Sequence, residues 1–139
     1  LILENRKLGD DNIAGLSKLE VLSEVISLDL GENNISDSGL HTLVNSPYIK
    51  NLKTLNLKSN NITEEGAKFI AESSKLKDLE HLILKFNRIG EAGANYLAQS
   101  ETLTNLRTLD LFRNRIGDAG IKVIKKSKNF RGVSRMRLD

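Results

Sequence analysis

Leucine and isoleucine recur along this chain every 27 residues, with polar residues between them. One ladder is Leu3, Leu30, Leu57, Leu84, Leu111 and Leu138. A second is Leu1, Leu28, Leu55, Leu82, Leu109 and Met136, a third Leu8, Ile35, Ile62, Ile89 and Ile116, and a fourth Leu16, Leu43, Ile70, Leu97 and Ile124. A period of this size marks a solenoid of stacked units. One polar ladder keeps the same step: Asn33, Asn60, Asn87 and Asn114.

Residues 52–78 show how one unit is built. Leu55 and Leu57 alternate with polar neighbours and predict a short strand with one apolar face. Thr63 offers a hydroxyl as a helix cap, and Glu64 and Glu65 put negative charge in the first turn, where the helix dipole favours it. Ala67, Ile70 and Ala71 then form a helical stripe, and Ser73 to Leu76 return the chain to the next strand. Helices are expected to start near Asp37, Glu64, Glu91 and Asp118. A lone strand and helix cannot enclose their leucines, so neighbouring units must supply the walls of a shared core. Parallel strands stack about 4.8 Å apart, whereas packed helices need about 8–10 Å. The helical side is therefore wider, and the strands should line the concave side.

The segments Leu52–Ile62 (LKTLNLKSNNI), Leu79–Ile89 (LEHLILKFNRI) and Leu106–Ile116 (LRTLDLFRNRI) resemble the leucine-rich repeat pattern LxxLxLxxNxI. Gly66–Ala71, Gly93–Ala98 and Gly120–Lys125 are similar to the helical half of its ribonuclease-inhibitor-like subclass. The resemblance covers nearly the whole chain. It implies an α/β fold, a right-handed horseshoe with a parallel concave β-sheet and convex helices, and a role in binding other proteins. Residues 1–139 then read as one domain of about five repeats plus a final strand. The first repeat departs from the pattern: Arg6 replaces the ladder asparagine, and Asn12 stands where Gly39, Gly66, Gly93 and Gly120 stand later. No polar terminal cap is visible, so the chain reads as a fragment of a longer protein or as one that pairs its open ends.

The polar asparagines should be buried at the turn after each strand, with their amides bonded to backbone. The periodic glycines read as architectural, placed where helix and strand backbones approach closely or the turn needs a special conformation. Asn34-Ile35-Ser36 and Asn61-Ile62-Thr63 match the glycosylation triplet, but the repeat pattern generates them by itself.

Composition narrows the chemistry. Cysteine is absent, which excludes thiolate metal sites and, with no visible leader, favours a cytoplasmic setting. No 18-residue apolar segment predicts a membrane span. His41 falls in an exposed helix column and His81 in a strand column on the opposite face, so no shared metal site is expected. No phosphate loop, dinucleotide fingerprint or nucleophile elbow is present. The sequence thus calls for no cofactor and no catalytic residue. Residues 1–100 carry 11 Lys/Arg against 14 Asp/Glu, and residues 101–139 carry 10 against 4. That asymmetry points to a partner that is acidic toward the C-terminal half. The basic helix at Lys122–Lys128 lacks the interleaved aromatics of a nucleic-acid surface and reads as a solvated face.

The outward strand columns carry the functional signal. Ile83, Phe86 and Phe112 lie in adjacent repeats in otherwise polar columns, ringed by Lys58, Lys85, Arg107 and Arg113. Apolar anchors inside a polar rim are the pattern of an interface. The expected function is a non-enzymatic module that binds a protein on this face. The alternatives are a spacer segment of a longer solenoid, or the regulatory repeats of a GTPase regulator or a ligase.

Overall fold

A computed structural model describes residues 1–139. Five three-residue strands, β1 (Ser27–Asp29), β2 (Thr54–Asn56), β3 (His81–Ile83), β4 (Thr108–Asp110) and β5 (Arg135–Arg137), form one parallel sheet in sequence order. Each residue pairs with its counterpart one repeat on: Leu28 with Leu55, Leu55 with Leu82, Leu82 with Leu109. The sheet register is therefore the sequence period. The segment expected as a first strand, Leu1–Leu3, contributes only a bridge between Ile2 and Asp29.

Five helices follow the turns: α1 (Gly9–Leu16), α2 (Asp37–Val44), α3 (Glu64–Glu72), α4 (Gly90–Ala98) and α5 (Gly117–Lys126). Each packs on the next. Their starts are made in two ways. Ser36 and Thr63 cap α2 and α3 with their hydroxyls, accepting from the amides of Ser38 and Glu65 at 3.2 and 3.3 Å. Asp10 and Asp37, each one helix earlier, accept the amides of those caps at 2.8 and 2.9 Å. No hydroxyl stands at the matching places in the last two units. There α4 and α5 begin at Gly90 and Gly117, both at φ +67°, one residue before the expected Glu91 and Asp118.

The inward leucines of β1 to β4 and of the turns after them are fully buried in one continuous core from Ile13 to Phe130. The outermost ladder members are not: Leu1 is 47% exposed and Leu3, Leu8, Leu16, Met136 and Leu138 are only partly covered. They have a repeat on one side only.

The four ladder asparagines are buried, and no buried side-chain nitrogen or oxygen lacks a partner. Each reaches backward. Asn60 Oδ1 accepts the amides of Asn33 and Ile35 at 3.1 and 2.9 Å, and its amide nitrogen donates to Leu30 O and Leu57 O. Asn33 does the same for Arg6 N, Leu8 N and Leu3 O. Asn87 serves Ile62 N and Leu57 O, and Asn114 serves Ile89 N and Leu84 O. The amides of Asn114 and Ile116 donate to the Asp139 carboxylate.

The glycine column has a different cause from the one expected. A Cβ on Gly93 would lie 2.5 Å from Ile89 Cγ2, 3.1 Å from Ala67 Cβ and 3.3 Å from Glu64 Cα. The tight approach is thus to the isoleucine just before its own helix and to the preceding helix, not to a strand.

A second ladder at the helix ends went unread in the sequence. The hydroxyls of Ser46, Ser73, Ser100 and Ser127 donate to Ser17 O, Val44 O, Ala71 O and Ala98 O of the preceding repeat. Serine is common in return loops, and only its period of 27 from Ser46 onward marks these four.

Candidate functional site: the outward face of the sheet

Strand alternation turns Ile83 and its column outward, while Leu82 and Leu84 point to the core. Just beyond the strands, Asn5, Glu32, Ser59, Phe86 and Arg113 all take left-handed backbone, with φ from 53° to 60°. That conformation swings each side chain out of the sheet. It is uncommon for bulky side chains, yet Phe86 adopts it as part of the repeated turn.

Phe86 is 47% exposed. Its ring meets Phe112 edge-on, with centroids 5.8 Å apart and planes at 80°. The amide of Phe86 donates to Phe112 O at 2.9 Å, so the two turns are also joined through backbone. Phe112 is half-buried, with the Arg137 guanidinium 4.1 Å and that of Arg113 5.4 Å from its ring centre. Lys85 Nζ lies 5.9 Å from the Phe86 ring centre. Ile83 is half-buried and pairs in register with Asn56 and Asp110. Phe86, Phe112, Lys85 and Arg113 thus come together. Arg137, absent from the expected rim, joins them because the 27-residue register sets it beside Asp110, two residues before Phe112.

Lys58 and Arg107 are engaged elsewhere. Lys58 forms an ion pair with Glu4 and a longer one with Glu32 at 3.7 Å. Its stem lies across Gly31, where a Cβ would meet Lys58 Cγ at 2.9 Å. The Glu4 hydrogen bond holds the Lys58 ammonium above its ordinary pKa, although partial burial opposes this. Arg107 lies before β4, 3.5 Å from Glu80, which also accepts from Lys53 Nζ at 2.7 Å. That lysine contact is the main cause of the lowered Glu80 pKa. The outward face is therefore divided. Its N-terminal half is acidic with an internally paired lysine, and its C-terminal half is basic, with Lys85, Arg113 and Arg137 in no ion pair.

The two histidines lie apart. His81 Nδ1 is 3.0 Å from Thr108 Oγ1, and His41 packs on Phe69 with ring centres 4.5 Å apart. No three His, Asp or Glu side chains are close enough to hold a metal ion together, and no helix is long and apolar enough to cross a membrane.

The Leucine Rich repeat profile matches residues 25–44, 48–71, 75–98 and 102–125, four successive units spanning most of the chain. The chain belongs to the leucine-rich repeat family. No curated protein matches it.

Proposed function

We propose that this is a non-enzymatic repeat domain of the ribonuclease-inhibitor-like kind that binds a protein partner on the outward, concave face of its sheet. The observation that carries this reading is the half-exposed Phe86 set edge-on against Phe112. The core does not require either ring, and both lie where repeat proteins present side chains to partners. Leucine-rich repeats typically mediate protein–protein interaction. Lys85, Arg113 and Arg137 supply a polar rim, with Ile83 beneath it. Lys58 and Arg107 belong to internal ion pairs, so the reading places them outside the contact.

A photo-crosslinking side chain at Phe86, compared with one at Lys125 on α5, tests this in extract of the source cells. One protein should be captured from Phe86 and not from Lys125. Its affinity for the Phe86→Ala/Phe112→Ala variant should fall by about 2 kcal/mol or more, roughly 30-fold. Capture from Lys125 alone would move the interface to the helices. Capture from neither would favour a spacer role.

A further inference from the structure

We propose that Arg113 and Arg137, held against Phe112, form a receiving fork for a carboxylate side chain of an acidic peptide segment. The proposal rests on the concave-face reading above and names the chemistry of its partner.

The Arg137 guanidinium stands 4.1 Å and that of Arg113 5.4 Å from the Phe112 ring centre. Arg137 is within stacking distance of the ring and Arg113 lies farther out, and a guanidinium held over a ring face keeps N–H groups free for a partner. Two acidic groups are near in the fold, and both have other work. Asp110 Oδ1 accepts the Phe112 amide at 3.1 Å, and Asp139 accepts the amides of Asn114 and Ile116. Neither forms an ion pair with Arg113 or Arg137. The arginines are thus partly ordered by the ring before any partner arrives, which lowers the ordering cost of binding. A planar pair of N–H donors matches a carboxylate in two-point geometry.

The remainder of the face defines the segment. Phe86 beside the fork offers an apolar contact, so the carboxylate should neighbour an apolar residue. Toward the N-terminus the face turns acidic at Glu4, Asp29 and Glu32, and Lys58 there is already neutralised. A long polyanion laid along the sheet would meet those carboxylates. A short acidic segment confined to the last three strands would not. Charge complementarity therefore favours a peptide over a nucleic acid.

The test uses a displayed library of short random peptides, selected on the whole domain at low salt. The recovered pool should be enriched in Asp or Glu next to Leu, Phe or Ile. Synthetic peptides from it should bind at least about tenfold more weakly when their acidic residue becomes Gln or when Arg113→Gln/Arg137→Gln is made. Arg137→Lys should recover only part of the loss, because a point charge lacks the planar pair. Phe112→Leu should weaken acidic peptides more than their Gln forms, which a purely apolar role for Phe112 would not do. If the peptides lose affinity on Phe86→Ala/Phe112→Ala but not on the arginine variants, the fork is wrong and the concave-face reading stands. If no peptide binds, or binding ignores all these changes, both fail. If single-stranded DNA competes better than the peptides and depends on the same arginines, the fork is a phosphate site and the peptide assignment is overturned.

Discussion

Asn60 Oδ1 accepts the backbone amide of Asn33, which holds its own place one repeat earlier, at 3.1 Å. Every ladder asparagine spends its side chain largely on its predecessor. Arg6 has no predecessor within the chain to serve, so the odd residue in the ladder leaves no partner stranded.

Replacing Asn87 by Leu keeps the size but strands Ile62 N inside the fold, while Leu57 O and Leu84 O keep Asn60 and Asn114 as their remaining side-chain donors. Denaturant unfolding should show a loss of about 1–3 kcal/mol or more, while Arg6→Ala should change stability little. Equal, small effects at both positions would remove the ladder role.

Leu57→Ala should cost about 2–5 kcal/mol, because the side chain is fully buried between two repeats. Leu1→Ala, in a neighbouring column but 47% exposed, should cost less than about 1 kcal/mol by the same unfolding measurement.

Two glycines should respond with opposite sign. Gly66→Ala sets a methyl 2.4 Å from Asp37 Oδ1 and 2.4 Å from Ile62 Cγ2, and should destabilise by about 1–3 kcal/mol. Gly15→Ala in α1 meets nothing within 4 Å and should stabilise by about 0.4–1 kcal/mol. A shift in the same direction at both sites would refute the close-approach account.

Phe86 combines strained backbone with an aromatic contact. Phe86→Asn relieves the first, since Asn tolerates left-handed φ, and loses the second. Each is worth about 1 kcal/mol, so stability should move by less than that. Phe86→Val places a branched side chain in the same backbone and should lose more. Thermal unfolding of the pair separates strain from packing.

The Lys58 pKa lies above its ordinary 10.5. Its contribution to stability is therefore fully present below that pH and is lost as pH rises through the folded value. The stability difference between wild type and Lys58→Met should be flat up to about pH 10 and shrink above it. A difference that stays constant to higher pH would mean that the Glu4 contact adds nothing.

Much of the fold was legible because it repeats. A column of leucines at a constant step gives both the strands and their register, and Thr63 marks one helix start in advance. What could not be read was direction. A period says that Asn60 and Gly66 recur, but not whether they serve the repeat before or after them. The site was legible as columns and not as contacts. Lys58 sits in the right column, but its stem crosses Gly31 and its ammonium is claimed by Glu4. Arg107, expected in the rim, precedes its strand and meets Glu80 instead. Arg137 lies in the Ile83 column, yet its guanidinium stands 4.1 Å from the Phe112 ring centre.

The backward reach of asparagine and glycine gives the array a growing end. A unit appended after β5 could bring its own asparagine for the turn at Asn114 and its own glycine for α5, and so would arrive with its fittings. A unit placed before Leu1 would find Arg6 where its turn needs an amide and Asn12 where its helix needs an open space. Extension toward the N-terminus would first require Arg6→Asn and Asn12→Gly, whereas extension toward the C-terminus requires only that the Asp139 carboxylate give up the amides of Asn114 and Ile116.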